Sequence, residues 1–412
     1  MDQVTRELPT VAWPAGLTRV PYWVYRDPDT ARDEQTRLFE GPAWHYLCLE
    51  IDVPEPGDYR ATMLGAMPVV VARAEDGDVA AFENRCAHRG ALICLDDAGK
   101  GNKDFHCVYH AWRYDLRGNL KSVAFRHGVN GKGGMPDDFR MEAHGPRKLR
   151  VTVVCGLVFG TLAADTPDFE DYVGPDVMVR LRRVLHKKLE VIGRFTQPLP
   201  CNWKLYMENV RDTYHASLLH MFFTTFRITR LSQGGGVMVS KNGVAHASTT
   251  LAAPPGPDNS YAGMRADNQG FQLKDPSFMR STAEFNDDIQ LQILSIFPGF
   301  ILQQIHNALA VRQIVPRGVD KMDLNWTYLG FADDTPELRA MRLKQANLAG
   351  PAGFVSMEDG AVGGFVQRGI ASADREQSLL EMGGASAETA ETRATEASVR
   401  GFWKAWRGLM DV

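Results

Sequence analysis

The sequence predicts an α+β fold in which an all-β module precedes a larger domain of mixed helices and strands. From about residue 41 to residue 165, short β-branched runs alternate with Gly and Asp turns, which is typical of antiparallel strands. Beyond residue 166, helical periodicity appears beside apolar strands whose short connections exclude parallel crossovers. A chain of 412 residues also exceeds one ordinary core. The predicted organisation is therefore an N-terminal helical segment (1–40), a β module (41–165) and a second domain (166–412).

Composition excludes several functional classes. A net charge of −4 without a long basic block argues against a nucleic-acid surface, which needs clustered Lys and Arg. The longest apolar run, 151–164, is shorter than the roughly 20 residues that span a bilayer. The N-terminus is acidic where a signal peptide is basic. We therefore expect a cytoplasmic protein with no membrane span and no nucleic-acid partner.

Local signals predict further elements in chain order. Asp27-Pro28 opens a short capped helix. A helical stretch runs from about Trp203 to Phe223, and strands follow at 300–305, 308–315 and 324–331. Thr335-Pro336 gives an N-cap and a first-position proline for a helix through about residue 348.

Two segments lack periodicity. Residues 252–288 form a long irregular connection, for which a lid or binding element and a passive surface loop are equally good interpretations. Residues 383–394 have the composition of a flexible tail, placed before a short amphipathic helix. We found no internal repeat.

The β module contains two Cys-His pairs in separate turns. They are Cys86-x-His88 and Cys107-x-x-His110. A Rieske [2Fe–2S] centre needs two thiolates on one iron and two imidazoles on the other, and these pairs supply both. A tetrahedral zinc site accepts the same ligands, but its usual pairs are Cys-Cys and His-His. The spacing therefore favours the iron–sulfur centre.

A second constellation lies in the C-terminal domain. On a continuous helix Glu208, Asp212 and His215 share one face, whereas His220 lies about 140° further round. The helix must therefore end, kink or carry a π-turn before His220. Two histidines and a carboxylate on one octahedral face are the ligand set of an oxygen-activating mononuclear iron.

The carboxylate of this second site is expected far downstream. Glu358 and Asp359 begin another predicted helix, and we choose Asp359. The alternative for the histidine pair alone is a structural role in the core or at a helix cap. Presence of the Cys-His pairs in the same chain argues against that alternative.

Together these motifs resemble one protein family. The chain reads C-x-H, C-x₂-H, N-W-K-x₃-E-N-x₂-D-x-Y-H-x₄-H and a late E-D, with runs such as FENRCAHRGAL, HGPRKLRV, SLLHMFFTTF and SMEDGAVGGFVQRG. It resembles the large (alpha) subunits of Rieske non-haem iron ring-hydroxylating oxygenases, most nearly those that act on aromatic carboxylates. One departure is that Val108 and Ala111 stand where many members have Pro and Gly.

The resemblance implies an architecture and partners. It implies a Rieske domain, a helix-grip catalytic domain and a ring of three large subunits, in which the cluster of one subunit serves the iron of its neighbour. Asp212 resembles the carboxylate that links His110 of one chain to His215 of the next. In the mechanism that we expect, Asn209 positions oxygen or the substrate near the iron. The family further implies a small beta subunit, as an α3β3 hexamer, and a separate NAD(P)H-dependent reductase. The chain itself has no Gly-rich dinucleotide fingerprint.

Two arginines are candidates for substrate binding. Arg312 lies in an apolar strand, where a lone charge is costly without a partner. It either pairs with a structural carboxylate or binds a substrate one. The resemblance points to Arg393 as a second anion site. This predicts NADH- and O2-dependent cis-dihydroxylation of an aromatic carboxylate, terephthalate in particular.

Two other functions remain open from the sequence. A monooxygenase, either a salicylate-type ring hydroxylase or an O-demethylase, uses the same metals. A pure Rieske electron carrier needs no second iron, so His215, His220 and Asp359 argue against it.

Overall fold

The computed structural model describes residues 12–254, 256, 258–264 and 270–412. The chain divides into two compact units, one formed by residues 35–169 and the other by residues 1–34 with 170–412. Each unit contains an antiparallel seven-stranded sheet, and the predicted α+β class is confirmed. In the part of the chain that the structure describes, no helix is long and apolar enough to cross a membrane.

The elements are numbered in chain order. The strands are β1 (Arg19–Pro21), β2 (His45–Leu49), β3 (Tyr59–Leu64), β4 (Met67–Arg73), β5 (Val79–Glu83), β6 (Ala98–Gly99), β7 (Phe105–His106), β8 (Arg113–Tyr114), β9 (Leu120–Ser122), β10 (Lys148–Val154), β11 (Leu157–Thr161), β12 (Leu189–Leu199), β13 (Gly235–Val239), β14 (Ala245–Leu251), β15 (Ile289–Ile296), β16 (Phe300–Ile305), β17 (Ala308–Pro316), β18 (Met322–Phe331) and β19 (Gln377–Leu379). The helices are α1 (Pro28–Glu34), α2 (Phe169–Val173), α3 (Pro175–Val184), α4 (Trp203–Arg211), α5 (Ala216–Leu219), α6 (Met221–Thr225), α7 (Pro336–Ala349), α8 (Ser356–Gly369) and α9 (Ala397–Met410).

The unit of residues 35–169 is almost entirely β structure. Its large sheet has the strand order β2-β11-β10-β5-β4-β3-β6, and a second sheet has the order β7-β8-β9. Val70 and Phe82 of the large sheet pack in one buried cluster with Cys86, Cys107 and Tyr114. The two cysteines of the sequence motif therefore lie in the core of this unit.

The larger unit is organised around the sheet β12-β18-β17-β16-β15-β14-β13. The three strands predicted between residues 300 and 331 are present as β16, β17 and β18, and they pair antiparallel. The hydroxyl of Thr335 accepts a hydrogen bond from the backbone N–H of Leu338 at 3.2 Å, which caps α7 as predicted. Side chains alternate between the two faces of this sheet, and one face forms the floor of the site described below.

A buried ion pair ties the N-terminal helix to this unit. Nζ of Lys204 in α4 lies 2.7 Å from Oε1 of Glu34 in α1, and both side chains are buried. The indole N–H groups of Trp203 and Trp406 also donate to the Glu34 carboxylate, at 2.9 Å and 2.8 Å. A charge removed from water needs such complete pairing. These contacts fix the position of α4, which leads into the histidine pair.

Two sequence predictions need correction. The helical stretch from about Trp203 to Phe223 breaks before His220, as predicted, but α4 already ends at Arg211, so the stretch forms three helices, α4, α5 and α6. The presumed flexible tail at 383–394 is packed against the sheet, because Ala390 forms a β-bridge with Val237 and the side chain of Arg393 is buried. Composition alone does not reveal such tertiary contacts. Residues 255, 257 and 265–269 of the irregular connection lie outside the described residues.

Candidate functional site

The two Cys-His turns form one cluster of donor atoms. The Nδ1 atoms of His88 and His110 lie 3.1 Å apart, and both imidazoles are exposed. Cys86 and Cys107 are both buried beneath them. The first turn closes through a hydrogen bond from Gly90 N–H to the Cys86 carbonyl at 2.9 Å. The arrangement separates two thiols on the protein side from two imidazoles on the solvent side.

Aromatic residues surround these donors. The Tyr114 hydroxyl is 3.2 Å from Sγ of Cys86 and accepts the backbone N–H of Ala87 at 3.1 Å. The Trp112 indole stacks on the His88 ring with centroids 4.9 Å apart. Ala111 takes a positive φ of 51°, a backbone conformation that favours glycine.

This donor set fits a Rieske [2Fe–2S] cluster. The cluster requires two thiolates on one iron and two imidazoles on the other. Here each type of donor forms its own pair, and the four residues converge from two turns. A chain segment that only packs a core has no need to expose two facing imidazoles.

The second site is built where α4 ends. The Asn202 side chain caps the start of α4 by accepting the Lys204 N–H at 3.0 Å. The helix stops at Arg211, so Asp212 lies just beyond it in extended backbone. His215 precedes the single turn of α5, and His220 lies between α5 and α6 with non-helical angles. This break, which the spacing of the histidines predicts, turns both imidazoles toward one point.

The downstream carboxylate meets both histidines. Oδ1 of Asp359 lies 3.5 Å from Nε2 of His215 and 3.2 Å from Nε2 of His220. The candidate ligand atoms of the three residues all lie within 4.8 Å of one another. Two imidazole nitrogens and one carboxylate oxygen around one point are the donor set expected for a non-haem iron.

Neighbouring polar groups orient these donors. The Asn209 amide donates to Asp359 Oδ1 at 3.2 Å and lies 3.4 Å from Nε2 of His215. Glu358 Oε2 accepts from Nδ1 of His220 at 2.7 Å. A carboxylate on the second nitrogen fixes the orientation and tautomer of a metal-binding imidazole. The role of Glu358 was missed in the sequence, although its place beside Asp359 was a usable signal.

Asp212 lies beside Nδ1 of His215, as Glu358 lies beside Nδ1 of His220. Its Oδ2 lies 3.2 Å from Nδ1 of His215, and its Oδ1 accepts the backbone N–H of Tyr214 at 2.7 Å. The predicted common helix face of Glu208, Asp212 and His215 is absent, because α4 ends before Asp212. Glu208 instead binds the hydroxyl of Tyr25 at 3.0 Å. Burial raises the pKa of Glu208 to about 7, against the lowering effect of its hydrogen bonds.

The charge of Asp359 attracts those of His215 and His220. Burial alone raises the pKa of Asp359, but hydrogen bonds from His215 and His220 outweigh it and hold that pKa far below its usual value. Burial lowers the pKa of His215, and its contacts with Asp212 and Asp359 reverse this and raise it to about 10. His215 and His220 would lose these protons on holding a metal cation, since metal binding requires neutral imidazoles.

A cavity adjoins these three residues. One face of the sheet forms its floor, and the Asn209, Asp212, His215, His220 and Asp359 side chains lie beside it. Its other lining side chains are mostly apolar or hydroxylic, namely Val210, Thr213, Ala216, Phe223, Thr229, Ser248, Thr250, Leu291, Ile293, Ile305, Val355 and Ser356, together with Gln303, Arg312 and Arg393. A mainly apolar cavity with a few convergent polar groups is the usual form of a small-molecule site.

Both predicted arginines line this cavity. Arg312 is 4% exposed; its Nη1 donates to the Tyr206 hydroxyl at 2.8 Å, and its guanidinium lies 4.8 Å from the Trp326 ring centre. Arg393 is also 4% exposed and donates to the Thr229 hydroxyl at 2.6 Å. The Nε of each has no hydrogen-bond partner, and no described carboxylate forms an ion pair with either. The sequence left two interpretations of Arg312, pairing with a structural carboxylate or binding a substrate carboxylate. The described residues provide no structural carboxylate for it.

Both parts of the chain match known protein families. Residues 43–130 match the Rieske [2Fe-2S] domain, and residues 185–411 match the catalytic domain of the ring-hydroxylating alpha subunit. The chain is 58% identical over 395 residues, 95% of each chain, to a terminal oxygenase component alpha subunit of terephthalate 1,2-dioxygenase from Comamonas sp.. It is 44% identical to the anthranilate 1,2-dioxygenase large subunit of Burkholderia cepacia, over 95% of this chain and 93% of that one.

Two further matches extend the comparison. The large oxygenase component of salicylate 5-hydroxylase from Ralstonia sp. is 38% identical, with 97% of this chain and 96% of that one aligned. The crystal structure of naphthalene 1,2-dioxygenase from Rhodococcus sp. superimposes with a TM-score of 0.78 at 23% identity, covering 95% of this chain and 94% of that one. The chain therefore belongs to the alpha subunits of ring-hydroxylating dioxygenases, with a Rieske [2Fe–2S] cluster and a mononuclear iron as cofactors.

Proposed function

We propose that this alpha subunit catalyses the NADH- and O2-dependent cis-dihydroxylation of terephthalate to its 1,2-cis-dihydrodiol. The observation that carries the proposal is the pair of buried arginines, Arg312 and Arg393, on one cavity beside His215, His220 and Asp359. A buried guanidinium without an internal carboxylate is costly, and an anionic substrate offsets that cost. Two such groups call for two carboxylates.

The positions of the arginines suit a substrate with charges at opposite ends. Arg312 lies on β17, while Arg393 binds Thr229, whose hydroxyl is 3.3 Å from that of Thr250 on β14. Three inter-strand steps, about 14 Å across the sheet, separate β14 from β17. Leu291 and Ile293 of β15 provide apolar floor between them. An aromatic ring with para carboxylates matches this order of charge, apolar surface and charge.

A monooxygenase is the second candidate. The similarity to the salicylate 5-hydroxylase component favours an aromatic monocarboxylate substrate with the same metals. Such a substrate fills one anion site and leaves the other guanidinium unpaired. Higher identity to the terephthalate enzyme component and the presence of both arginines support dihydroxylation of the dicarboxylate.

The residues have distinct roles in this reaction. We assign His215, His220 and Asp359 to the mononuclear iron, and Cys86, His88, Cys107 and His110 to the cluster. When bound, the iron supplies the centre for oxygen activation and the cluster supplies an electron. Asn209, which contacts Asp359 and His215, holds these ligands and faces the cavity. Arg312 and Arg393 fix the ring relative to the ligands, which limits the positions that react.

The proposed reaction requires other protein components. We expect a small beta subunit in an α3β3 assembly and a separate NADH-dependent reductase, with Asp212 linking His215 to His110 of a second copy. The side chain of Asp212 is 25% exposed, so it is partly accessible to such a partner. Because NADH is the electron source, we also expect the enzyme to act in the cytoplasm.

Replacing Tyr114 with phenylalanine is expected to lower the reduction potential of the cluster. The hydroxyl lies 3.2 Å from Cys86 Sγ, and a hydrogen bond to a ligand sulfur stabilises the reduced state. Loss of about 1 kcal/mol corresponds to a decrease on the order of 50 mV for one electron. Redox titration followed by electron paramagnetic resonance measures this shift. An unchanged potential with an intact cluster signal contradicts a hydrogen bond from Tyr114 to a ligand sulfur.

Single-turnover product analysis tests the function itself. The iron-loaded holoenzyme is reduced anaerobically, mixed with terephthalate and then exposed to oxygen. We expect one cis-diol dicarboxylate that retains both carboxylates. A hydroxylated product from salicylate or benzoate, with none from terephthalate, would keep both metal sites and reject the two-arginine substrate model.

A further inference from the structure

Gln303 is a buried amide on the cavity floor that has no use in the roles assigned so far. Its side chain is 2% exposed, it lines the cavity, and its Nε2 has no hydrogen-bond partner among the described residues. The nearest members of its sheet face, Ile293 and Ile305, are apolar. A buried donor left unsatisfied destabilises a protein, so such a group in a cavity points to an external acceptor.

The amide nitrogens of two glutamines on the opposite face of the same sheet do have hydrogen-bond acceptors. Nε2 of Gln304 donates to the carbonyls of Gln290 and His306 at 3.1 Å and 2.8 Å. Nε2 of Gln292 donates to the carbonyl of Arg180 at 3.0 Å. The amide nitrogens of these two glutamines thus have internal acceptors, although Oε1 of Gln292 has no hydrogen-bond partner among the described residues. Gln303 is set apart by facing the cavity.

Strand register places Gln303 beside Arg312. Ile301 pairs with Arg312 and Gln303 pairs with Ala310 across β16 and β17. Directly paired residues of antiparallel strands share a face, so Gln303 and Arg312 are diagonal neighbours with roughly 7 Å between them. The Nε of Arg312 also has no partner. Two unsatisfied N–H donors therefore lie side by side on the wall of one cavity.

We propose that Gln303 is a specificity-determining residue whose Nε2 donates a hydrogen bond to the same substrate carboxylate that Arg312 binds. This inference rests on the proposed function, since it requires an aromatic carboxylate in the cavity. The two carboxylate oxygens accept from different donors, one from the guanidinium and one from the amide. Donors on two strands fix the plane of the carboxylate, and through it the plane of the ring, relative to His215, His220 and Asp359.

Replacing Gln303 with leucine tests this role. The anaerobic holoenzyme is titrated with terephthalate, and we expect the dissociation constant to rise about tenfold. The melting temperature of the ligand-free protein is expected to stay the same or rise, because an unsatisfied donor is removed. Unchanged affinity would show that the amide does not contact the substrate, and a clear loss of melting temperature would show that it has an internal partner; either result overturns the proposal.

Gln292→Leu is the matched control. It removes a buried glutamine from the neighbouring strand β15, where the amide has an internal acceptor. We expect a lower melting temperature and unchanged affinity for terephthalate, the reverse of the result for Gln303→Leu. Equal effects of the two substitutions on affinity would mean that Gln303 acts only through sheet packing.

Introducing a negative charge at position 303 identifies the group that Gln303 contacts. In Gln303→Glu the new carboxylate repels a substrate carboxylate at Arg312 but accepts from an amide there. The wild type is expected to bind terephthalate more tightly than its monoamide, 4-carbamoylbenzoate, and Gln303→Glu is expected to invert this preference. An unaltered order of affinities rejects the contact.

The role of Gln303 and the choice of terephthalate as substrate are tested by different results. If the wild type binds benzoate or salicylate and not terephthalate, the terephthalate proposal fails, and the Gln303→Leu comparison is made on the acid that does bind. The inference then stands if that acid loses about tenfold in affinity, and falls if it loses none.

Discussion

Replacing Asp359 with alanine is expected to abolish ring hydroxylation while leaving the [2Fe–2S] cluster intact. Asp359 Oδ1 lies within 3.5 Å of the Nε2 atoms of His215 and His220. It is the one carboxylate that contacts both imidazoles among the described residues. Its loss removes the negative ligand, so we expect iron to dissociate and turnover to fall by more than about 1000-fold. Iron analysis and the electron paramagnetic resonance spectrum of the reduced cluster measure the two sites separately.

Glu358→Gln provides the control for this prediction. Glu358 contacts the outer nitrogen of His220 at 2.7 Å, and an orienting group of this kind affects metal affinity about 10- to 100-fold. We expect weakened iron binding that added ferrous iron restores. Asp359→Ala is not restored in this way. Full iron content and activity in Asp359→Ala would show that the carboxylate ligand is a different residue.

Replacing Arg312 with leucine is expected to weaken the binding of every aromatic carboxylate, whereas Arg393→Leu weakens only dicarboxylates. Each guanidinium is buried without a described internal carboxylate, so its charge is available to the substrate. Removing one partner of a buried, hydrogen-bonded charge pair costs about 3 kcal/mol, which is about 100-fold in affinity. Titration of the anaerobic holoenzyme with terephthalate and benzoate measures both effects.

The two variants control each other. Arg393 also donates to the Thr229 hydroxyl and to the carbonyls of Arg230 and Gln233, so its loss disturbs local packing. Arg312 contacts Tyr206, and its loss is expected to leave the melting temperature closer to that of the wild type. Equal loss of benzoate and terephthalate affinity in Arg393→Leu would make Arg393 a structural residue and reduce the anion sites to one.

The fold class and the metal-binding motifs were predictable because their signals are local in the sequence. Cys86 and His88 lie in one turn, as do Cys107 and His110, so their spacing alone indicates which donors come together. The break before His220 was also predictable, since five residues do not return a helix to the same face. The capped helix after Thr335 depends only on neighbouring residues.

Other predictions failed where tertiary contacts override local preference. The stretch from Trp203 to Phe223 has helical character throughout, yet α4 ends at Arg211. The side chain of Arg211 donates to the carbonyls of Gly243 and Val244, contacts with a distant hairpin that no local pattern indicates. Residues 383–394 have the composition of a linker, but the bridge between Ala390 and Val237 fixes them to the sheet.

The sequence by itself thus determined the family, the two kinds of iron centre and most of their candidate ligands, because residue type and short spacing carry that information. Asp359 was chosen from the sequence, but only the tertiary structure decided that Glu358 contacts the outer nitrogen of His220 and which polar side chains face the cavity. Gln303 and Gln304 are adjacent and chemically identical, yet one lies unsatisfied beside Arg312 and the other is fixed by internal carbonyls. Side chains in a strand alternate between faces, so strand register sets the role of each glutamine.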